Sequence, residues 1–251
     1  MNYISSKENI LFKKIKKLKQ KKYREEYGLF LIEGIKVFDF APNYEYVIIK
    51  ESKKELYDKF NKNETSLILS DNLFLEISSQ ENSQGIMFCV KNLVEEIDLN
   101  SRELVILDNI QDPGNLGTLI RVIDAVGIKN VILTKGSCDI YNEKVVRSTM
   151  GSLFNLNFKY LSLLELKDFL KEHSFNILVT ALSEKSINYD KMTIEENNAI
   201  IFGNEGHGVS QELLDIANEQ LIIPIYGKAE SLNVSIAAGI FLYKYRELKS
   251  L

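Results

Sequence analysis

Residues 221–242 read LIIPIYGKAESLNVSIAAGIFL, and they decide how the second half of the chain is built. The apolar run Leu221, Ile222, Ile223 and Ile225 predicts a strand over 221–225. Pro224 closes it, because proline has no N–H to give to a ladder. A polar loop follows, and Ser231-Leu232-Asn233-Val234-Ser235 opens an alanine-rich amphipathic helix over 232–248. Ser and Asn suit that position because their side-chain oxygens accept the orphan N–H groups of a first turn. In an open α/β sheet, ligands bind where strand ends face helix N-termini. Taken alone, the stretch is read more simply as a well-capped final helix. Two stretches upstream shift that balance.

Working outward, strands and helices alternate from ELVILDN at 103–109 onward. The predicted strands are 103–109, 130–134, 155–160, 176–181, 199–203 and 221–225. The predicted helices are 115–126, 141–153, 163–172, 210–217 and 232–248. This pattern implies a mainly parallel sheet covered on both faces. Ahead of it, GLFLIEG at 28–34 predicts a buried strand, followed by a short helix holding Val37, Phe38 and Phe40. A strand at 44–50, a polar helix at 52–61, a short strand at 67–70, a short helix at 73–77 and a closing strand at 85–90 complete a small α/β domain. NLVEEIDLNS at 92–101 breaks the pattern and reads as a linker. The expected division is therefore a small N-terminal α/β domain over 1–95 and a larger α/β domain over 102–251.

A chain of 251 residues, 45% hydrophobic and 26% charged, suits one large or two small globular domains. It contains no apolar run of about eighteen residues, so no membrane span is expected. The start, MNYISSKEN, continues basic without an apolar core and does not read as a secretory leader. Cys89 and Cys138 are too few and too far apart for a disulfide framework or a metal site. A cytoplasmic protein without metal is expected. The net charge of −4 conceals a basic segment: residues 7–24 hold nine Lys and Arg against one acid, Glu8. Such a stripe is either an electrostatic footprint for nucleic acid or a solvated helix face. Leu11, Ile15 and Leu18 follow helical spacing and turn the lysines outward in both cases.

Two further constellations carry chemistry. In LDNIQDPGNLGTLIRVIDAVG (107–127), a strand ends at Asp108-Asn109, Asp112-Pro113-Gly114 turns, and Asn115 starts a helix. Arg121 follows six positions later, flanked by Leu119, Ile120, Val122 and Ile123, where a cation needs a partner such as Asp124 or a ligand. In AIIFGNEGHGVS (199–210), a strand runs into Gly203-Asn204-Glu205-Gly206-His207-Gly208, and Ser210 is placed to cap a helix. Three glycines in six residues mean a sharp turn or a backbone close to a ligand. The loop is neither a dinucleotide fingerprint nor a phosphate-binding G-K-[ST] loop.

Asn115 with Arg121, FGNEGHG and IPIYGKAESLNVSIAAGI, in that order, resemble the three motifs of the SpoU/TrmH family of SPOUT RNA ribose methyltransferases. VVRSTMGSLF at 145–154, the basic helix and the FLIEG strand resemble the family as well, so the likeness spans nearly the whole chain. It implies a small N-terminal RNA-binding domain and a C-terminal SPOUT α/β domain ending in a trefoil knot. Patterning alone argues against a knot. It further implies S-adenosylmethionine as cofactor, methyl transfer to a ribose 2′-hydroxyl of structured RNA, and a homodimer formed through the catalytic domain. Ribosomal RNA is preferred and transfer RNA is the alternative. Mapped onto this chain, the family's catalytic set is Arg121 with Asn115, Glu205, Ser231 and Asn233. The cofactor set is Gly203, Asn204, Gly208, Ile223 and Leu232. Lys13, Lys14, Lys16, Lys17, Lys21 and Arg24 are the expected RNA contacts.

A sulfonium methyl donor needs no metal, which agrees with the absence of a ligand cluster around His173 and His207. Arg121 is too weak a base to deprotonate a hydroxyl, so it is expected to stabilise the developing alkoxide and bind phosphate. Two other readings compete. One is an RNA-binding or ribosome-assembly protein without turnover, which has no evident need of Asn115, Arg121, Glu205 and Asn233 together. The other is a SPOUT enzyme that methylates a base.

Overall fold

The computed structural model describes residues 2–41, 43–60, 66–93 and 96–250. Position 61 of the expected polar helix, positions 94 and 95 of the expected linker, and positions 1 and 251 lie outside them. The chain forms two compact units.

The first unit holds the described residues up to Leu93 together with Asp139–Phe154. In chain order it contains β1 (Asn2–Ile4), α1 (Ile10–Lys17), α2 (Lys21–Tyr27), β2 (Leu29–Glu33), α3 (Val37–Phe40), β3 (Tyr44–Lys50), α4 (Leu56–Phe60), β4 (Ser66–Leu69), α5 (Asp71–Ile77) and β5 (Ile86–Lys91). The sheet order is β1-β4-β3-β5-β2, with β5 antiparallel to both neighbours. The expected basic helix is two helices. Asn9 caps α1 through Leu11 N–H at 2.9 Å and Phe12 N–H at 3.1 Å. Phe12, Ile15 and Leu18 fill the core beside it. The chain then breaks at Gln20, which is extended. The predicted polar helix is likewise a 3-10 turn at Glu51–Lys53 followed by α4. Strand β1 escaped the sequence reading because three residues at an edge carry no measurable period. Cys89 lies in this core, and burial pushes its thiol up to about 12, so it behaves as a small hydrophobe.

The second unit carries β6 (Glu103–Leu107), α6 (Pro113–Ala125) and β7 (Asn130–Thr134). The next helix in the chain, α7 (Glu143–Ser148), belongs to the first unit. The second unit continues with β8 (Asn157–Leu161), α8 (Leu163–Glu172), β9 (Asn176–Thr180), β10 (Ile187–Asn188), β11 (Asn198–Phe202), α9 (Gln211–Leu214), β12 (Glu219–Ile222) and α10 (Val234–Lys249). The expected helix over 141–153 is shorter because Met150 and Gly151 turn left-handed, at φ 53° and 99°. The second sheet runs β10-β12-β9-β11-β6-β7-β8, and all its pairings are parallel. Parallel strands put all their carboxyl ends at one edge, which is what gathers the three motif loops. The strand predicted at 221–225 lies earlier, at Glu219–Ile222, and leaves Ile223 and Ile225 outside the ladder. Helix α10 packs on α6, and Arg246 locks the pair: its Nε donates to Val126 O at 2.9 Å and its guanidinium meets Glu103 at 3.0 Å. Among the described residues, no helix is long and apolar enough to cross a membrane.

Candidate functional site

The site is built where β6, β11 and β12 end. Asp112 caps α6 by accepting from Asn115 N–H at 2.8 Å, with Pro113 at the first helical position, where a missing N–H costs nothing. The Asn115 side chain is then free to bridge. Its Nδ2 donates to Glu205 Oε1 at 2.8 Å, and its Oδ1 accepts from Asn233 Nδ2 at 3.0 Å. Ser235 Oγ donates to the Asn115 carbonyl at 3.2 Å. Asn233 in turn caps α10, accepting from Ser235 N–H at 2.9 Å. One carboxamide, using both its donor and its acceptor, thus joins its own segment to two others, 90 and 118 positions further along the chain.

The glycine loop is closed around Asn204. Its backbone exchanges two 2.9 Å hydrogen bonds with Gly208. Its Oδ1 accepts from the N–H groups of Gly206 and His207 at 2.9 and 3.0 Å. The His207 ring meets the same oxygen, so this histidine holds the loop. Asn204 Nδ2 reaches back to Asn109 O at 2.9 Å. Gly203 permits the closure: a Cβ there would stand 2.3 Å from Gly208 C and Val209 N, which no side chain can occupy. Asp108 is a supporting residue that sequence reading passed over. It is buried, and its two oxygens accept from Ser210 N–H at 2.8 Å and Thr134 Oγ1 at 2.9 Å. An acid directly after the apolar run at 104–107 was the available signal. Ser210 sits at the N-cap of α9 as expected, yet its hydroxyl makes no cap bond.

These loops enclose a cavity of about 580 Å³ lined by Gly203, Asn204, Glu205, Gly208, Ile223, Ser231, Leu232 and Asn233. All the expected cofactor residues line it, as do three of the five expected catalytic ones. Thr180 and Ser183, which lie outside the three motifs, line it as well, as does Glu230, a residue of the third motif not among the expected site residues. The size suits a small-molecule ligand, and the walls combine apolar surface from Phe202, Leu221 and Phe241 with a few polar groups. A nucleoside-bearing cofactor fits such walls, beside the loop whose closure Gly203 permits.

Arg121 is not part of this cluster. The buried face of α6 is Leu116, Leu119, Ile120 and Ile123, and Arg121 lies outside that stripe, exposed to solvent. The expectation of a cation amid apolar neighbours is corrected: the residues beside it in sequence point to the other side of the helix. Asp124 bonds Asn155 and Lys129 instead, and among the described residues Arg121 has no ion pair. Six positions along a helix are about 9 Å of rise and a different face, which separates it from Asn115.

The basic segment is also rearranged. Arg24, expected on RNA, is only 5% exposed. Its Nε and Nη2 bond Asp139 at 2.9 and 2.6 Å, and its Nη1 donates to Leu18 O. A guanidinium so enclosed and satisfied is unavailable to phosphate. Lys13 pairs with Glu8, Lys16 with Glu76, Lys21 with Glu25, and Lys14 lies 3.9 Å from Glu45. Lys17 and Lys22 instead lie over the Tyr23 ring, at 4.8 and 5.8 Å from its centre. Of the expected RNA lysines, Lys17 has no carboxylate partner among the described residues, and it shares that state with Lys19 and Lys22, which sequence reading did not single out.

Comparison with known proteins places this geometry. The profile of the SpoU rRNA Methylase family matches residues 103–243, and that of the MRM3-like substrate binding domain matches residues 9–87. The chain is 35% identical to the 23S rRNA (guanosine(2553)-2′-O)-methyltransferase RlmP of Bacillus subtilis, over 98% of this chain and 100% of the relative. It is 32% identical to the tRNA (guanosine(18)-2′-O)-methyltransferase of Aquifex aeolicus, over 62% of this chain and 74% of the relative. The crystal structure of an AdoMet-bound rRNA methyltransferase from Sinorhizobium meliloti superposes with a TM-score of 0.84 at 28% identity, covering 98% of each chain.

Proposed function

The chain belongs to the SpoU rRNA methylase family, and from that premise we propose that it methylates a ribose 2′-hydroxyl of ribosomal RNA. The observation that carries this reading is the Asn115 bridge to Glu205 and Asn233 at the mouth of a cavity lined by all the expected cofactor residues. Full-length likeness to an enzyme of 23S rRNA favours ribosomal RNA, and the tRNA-directed relative matches a smaller share of this chain. The residues that would hold S-adenosylmethionine are Gly203, Asn204, Gly208, Ile223 and Leu232. When bound, it supplies a methyl group already activated on a sulfonium. The protein's own task is to orient the ribose oxygen and favour its deprotonated form. Glu205 and Asn233, which line the cavity and meet through Asn115, would fix the loops, with Ser231 beside them on the lining.

Arg121 would stabilise the developing alkoxide and bind an adjacent phosphate. Its outward position supports a site completed by a second copy of the chain. An exposed apolar stripe on α10, Ile236, Ile240 and Tyr243, offers a face for that homodimer. The division of labour follows: residues 1–95 engage RNA and 102–251 carry the reaction, in the cytoplasm where ribosomal RNA is found. The knot belongs to the same proposal, supported by residues 202–209 lining one cavity with Ile222, Ile223, Ile225 and residues 230–233, just before the chain enters α10.

The test uses purified protein, tritiated S-adenosylmethionine and ribosomal RNA from a strain lacking the gene, with mass mapping of the labelled nucleotide. Label on one 2′-O-methylated ribose is the expected result. Label on a base would overturn the reaction, and label on transfer RNA alone would overturn the substrate.

A further inference from the structure

We propose that a second cavity, of about 380 Å³ within the first unit, is a nucleobase pocket that takes an unstacked guanine of the RNA. It rests on the reading of the chain as an RNA enzyme and adds to it a site outside the cofactor cavity. Glu33, Lys36, Phe40, Glu143, Arg147 and Met150 are among the residues that line it.

The pocket is built rather than incidental. Gly151, at φ 99°, lies against the Phe40 ring so closely that a Cβ would come within 3.2 Å of it. Met150, the residue before it, stands in the left-handed region at φ 53°, a conformation that costs a non-glycine residue free energy. Met150 is 62% exposed and lines the cavity together with Phe40. An aromatic ring and a soft thioether are the surfaces on which a base stacks.

The polar groups specify which base. Ser78 Oγ shares its one proton between the two Glu33 oxygens, at 2.8 and 3.1 Å, and so orients the carboxylate while leaving further lone pairs unused. A carboxylate only accepts hydrogen bonds. Of the four bases, guanine alone presents two adjacent donors, N1–H and the N2 amino group, on its Watson–Crick edge. Adenine and cytosine would set a ring-nitrogen lone pair against the carboxylate, and uracil would set carbonyl oxygens there. Unstacked bases in RNA are read at that edge. Lys36 and Arg147 are exposed, and among the described residues their side chains have no hydrogen bond or ion pair. Glu143, one turn before Arg147, is not paired with it. Two unclaimed cations beside the cavity suit the phosphates flanking an extruded nucleotide.

The test measures binding of the full chain to short single-stranded oligoribonucleotides with one guanosine, or inosine or adenosine in its place, by fluorescence anisotropy. Inosine lacks the N2 amino group, so the wild type should bind guanosine about tenfold more tightly, the effect of one hydrogen bond to a charged acceptor. Glu33→Gln should reduce that ratio to under about threefold. Arg147→Ala, an exposed change that leaves the fold intact, should weaken all three oligonucleotides alike and flatten their salt dependence. Equal binding of guanosine and inosine by the wild type, or an unchanged ratio in Glu33→Gln, overturns the pocket. Methyl transfer to ribosomal RNA is measured in parallel. Transfer without guanine discrimination removes the pocket and leaves the reaction standing, whereas guanine discrimination lost in Glu33→Gln without any transfer supports the pocket and removes the reaction.

Discussion

Asn115→Ala removes two hydrogen bonds at once, the 2.8 Å bond to the Glu205 carboxylate and the 3.0 Å bond from Asn233. A charge-assisted bond contributes about 1.5–3 kcal/mol when enclosed and less when solvent-accessible, and a neutral one contributes about 1 kcal/mol. Glu205 and Asn233 are exposed, so their freed groups return to water, and the loss for the ordered site is roughly 2 kcal/mol. Little of it should reach global stability, since no cavity forms and no polar group is stranded: under about 1 kcal/mol in urea unfolding. The site's function should fall by about thirtyfold in kcat/KM for methyl transfer, at tenfold per 1.4 kcal/mol. Glu205→Ala removes one of the two bonds and should cost about eightfold by the same conversion. The assay is a double-mutant cycle. Because the bond lost in Glu205→Ala is already lost in Asn115→Ala, the double variant should fall no further than Asn115→Ala alone, about thirtyfold, well short of the product of the two losses. A double variant that falls by the full product, within the roughly 0.5 kcal/mol of simple additivity, would refute the bridge as the tie between the loops.

Three other outcomes follow from the same geometry. Gly203→Ala places a methyl group 2.3 Å from the Gly208 and Val209 backbone, so calorimetry should find cofactor affinity lowered at least about tenfold; unchanged affinity would mean that the loop opens freely. Arg121→Ala, at an exposed position without an ion pair, should leave urea stability within about 0.5 kcal/mol and cofactor binding intact while abolishing methyl transfer. Loss of cofactor binding as well would remove its assigned role. Neutralising Lys17, Lys19 and Lys22 should reduce the slope of RNA affinity against salt by about one for each phosphate no longer neutralised. The reduction should exceed that from neutralising Lys13, Lys16 and Lys21, which are held by Glu8, Glu76 and Glu25. Equal effects would show that those ion pairs open on RNA.

The alternation of strands and helices, the parallel second sheet and the motif loops at its carboxyl edge were legible in the chain, because period and capping chemistry are local. Helix α8 begins and ends where its pattern does, and Asn233 caps α10 as its side chain requires. The resemblance supplied the cofactor set, whose members meet at one cavity. What the chain could not disclose is which groups oppose one another across long separations. Nothing local distinguishes Arg24 from the lysines before it, yet the tertiary structure buries it against Asp139 and withdraws it from RNA. Arg121 is surrounded by apolar letters, and only the orientation of α6 turns it to solvent. Asn115 shows in sequence as a residue that starts a helix. It becomes the joint of the site only when β6, β11 and α10 converge, because a hydrogen bond is decided by distance in space and a sequence records distance along the chain.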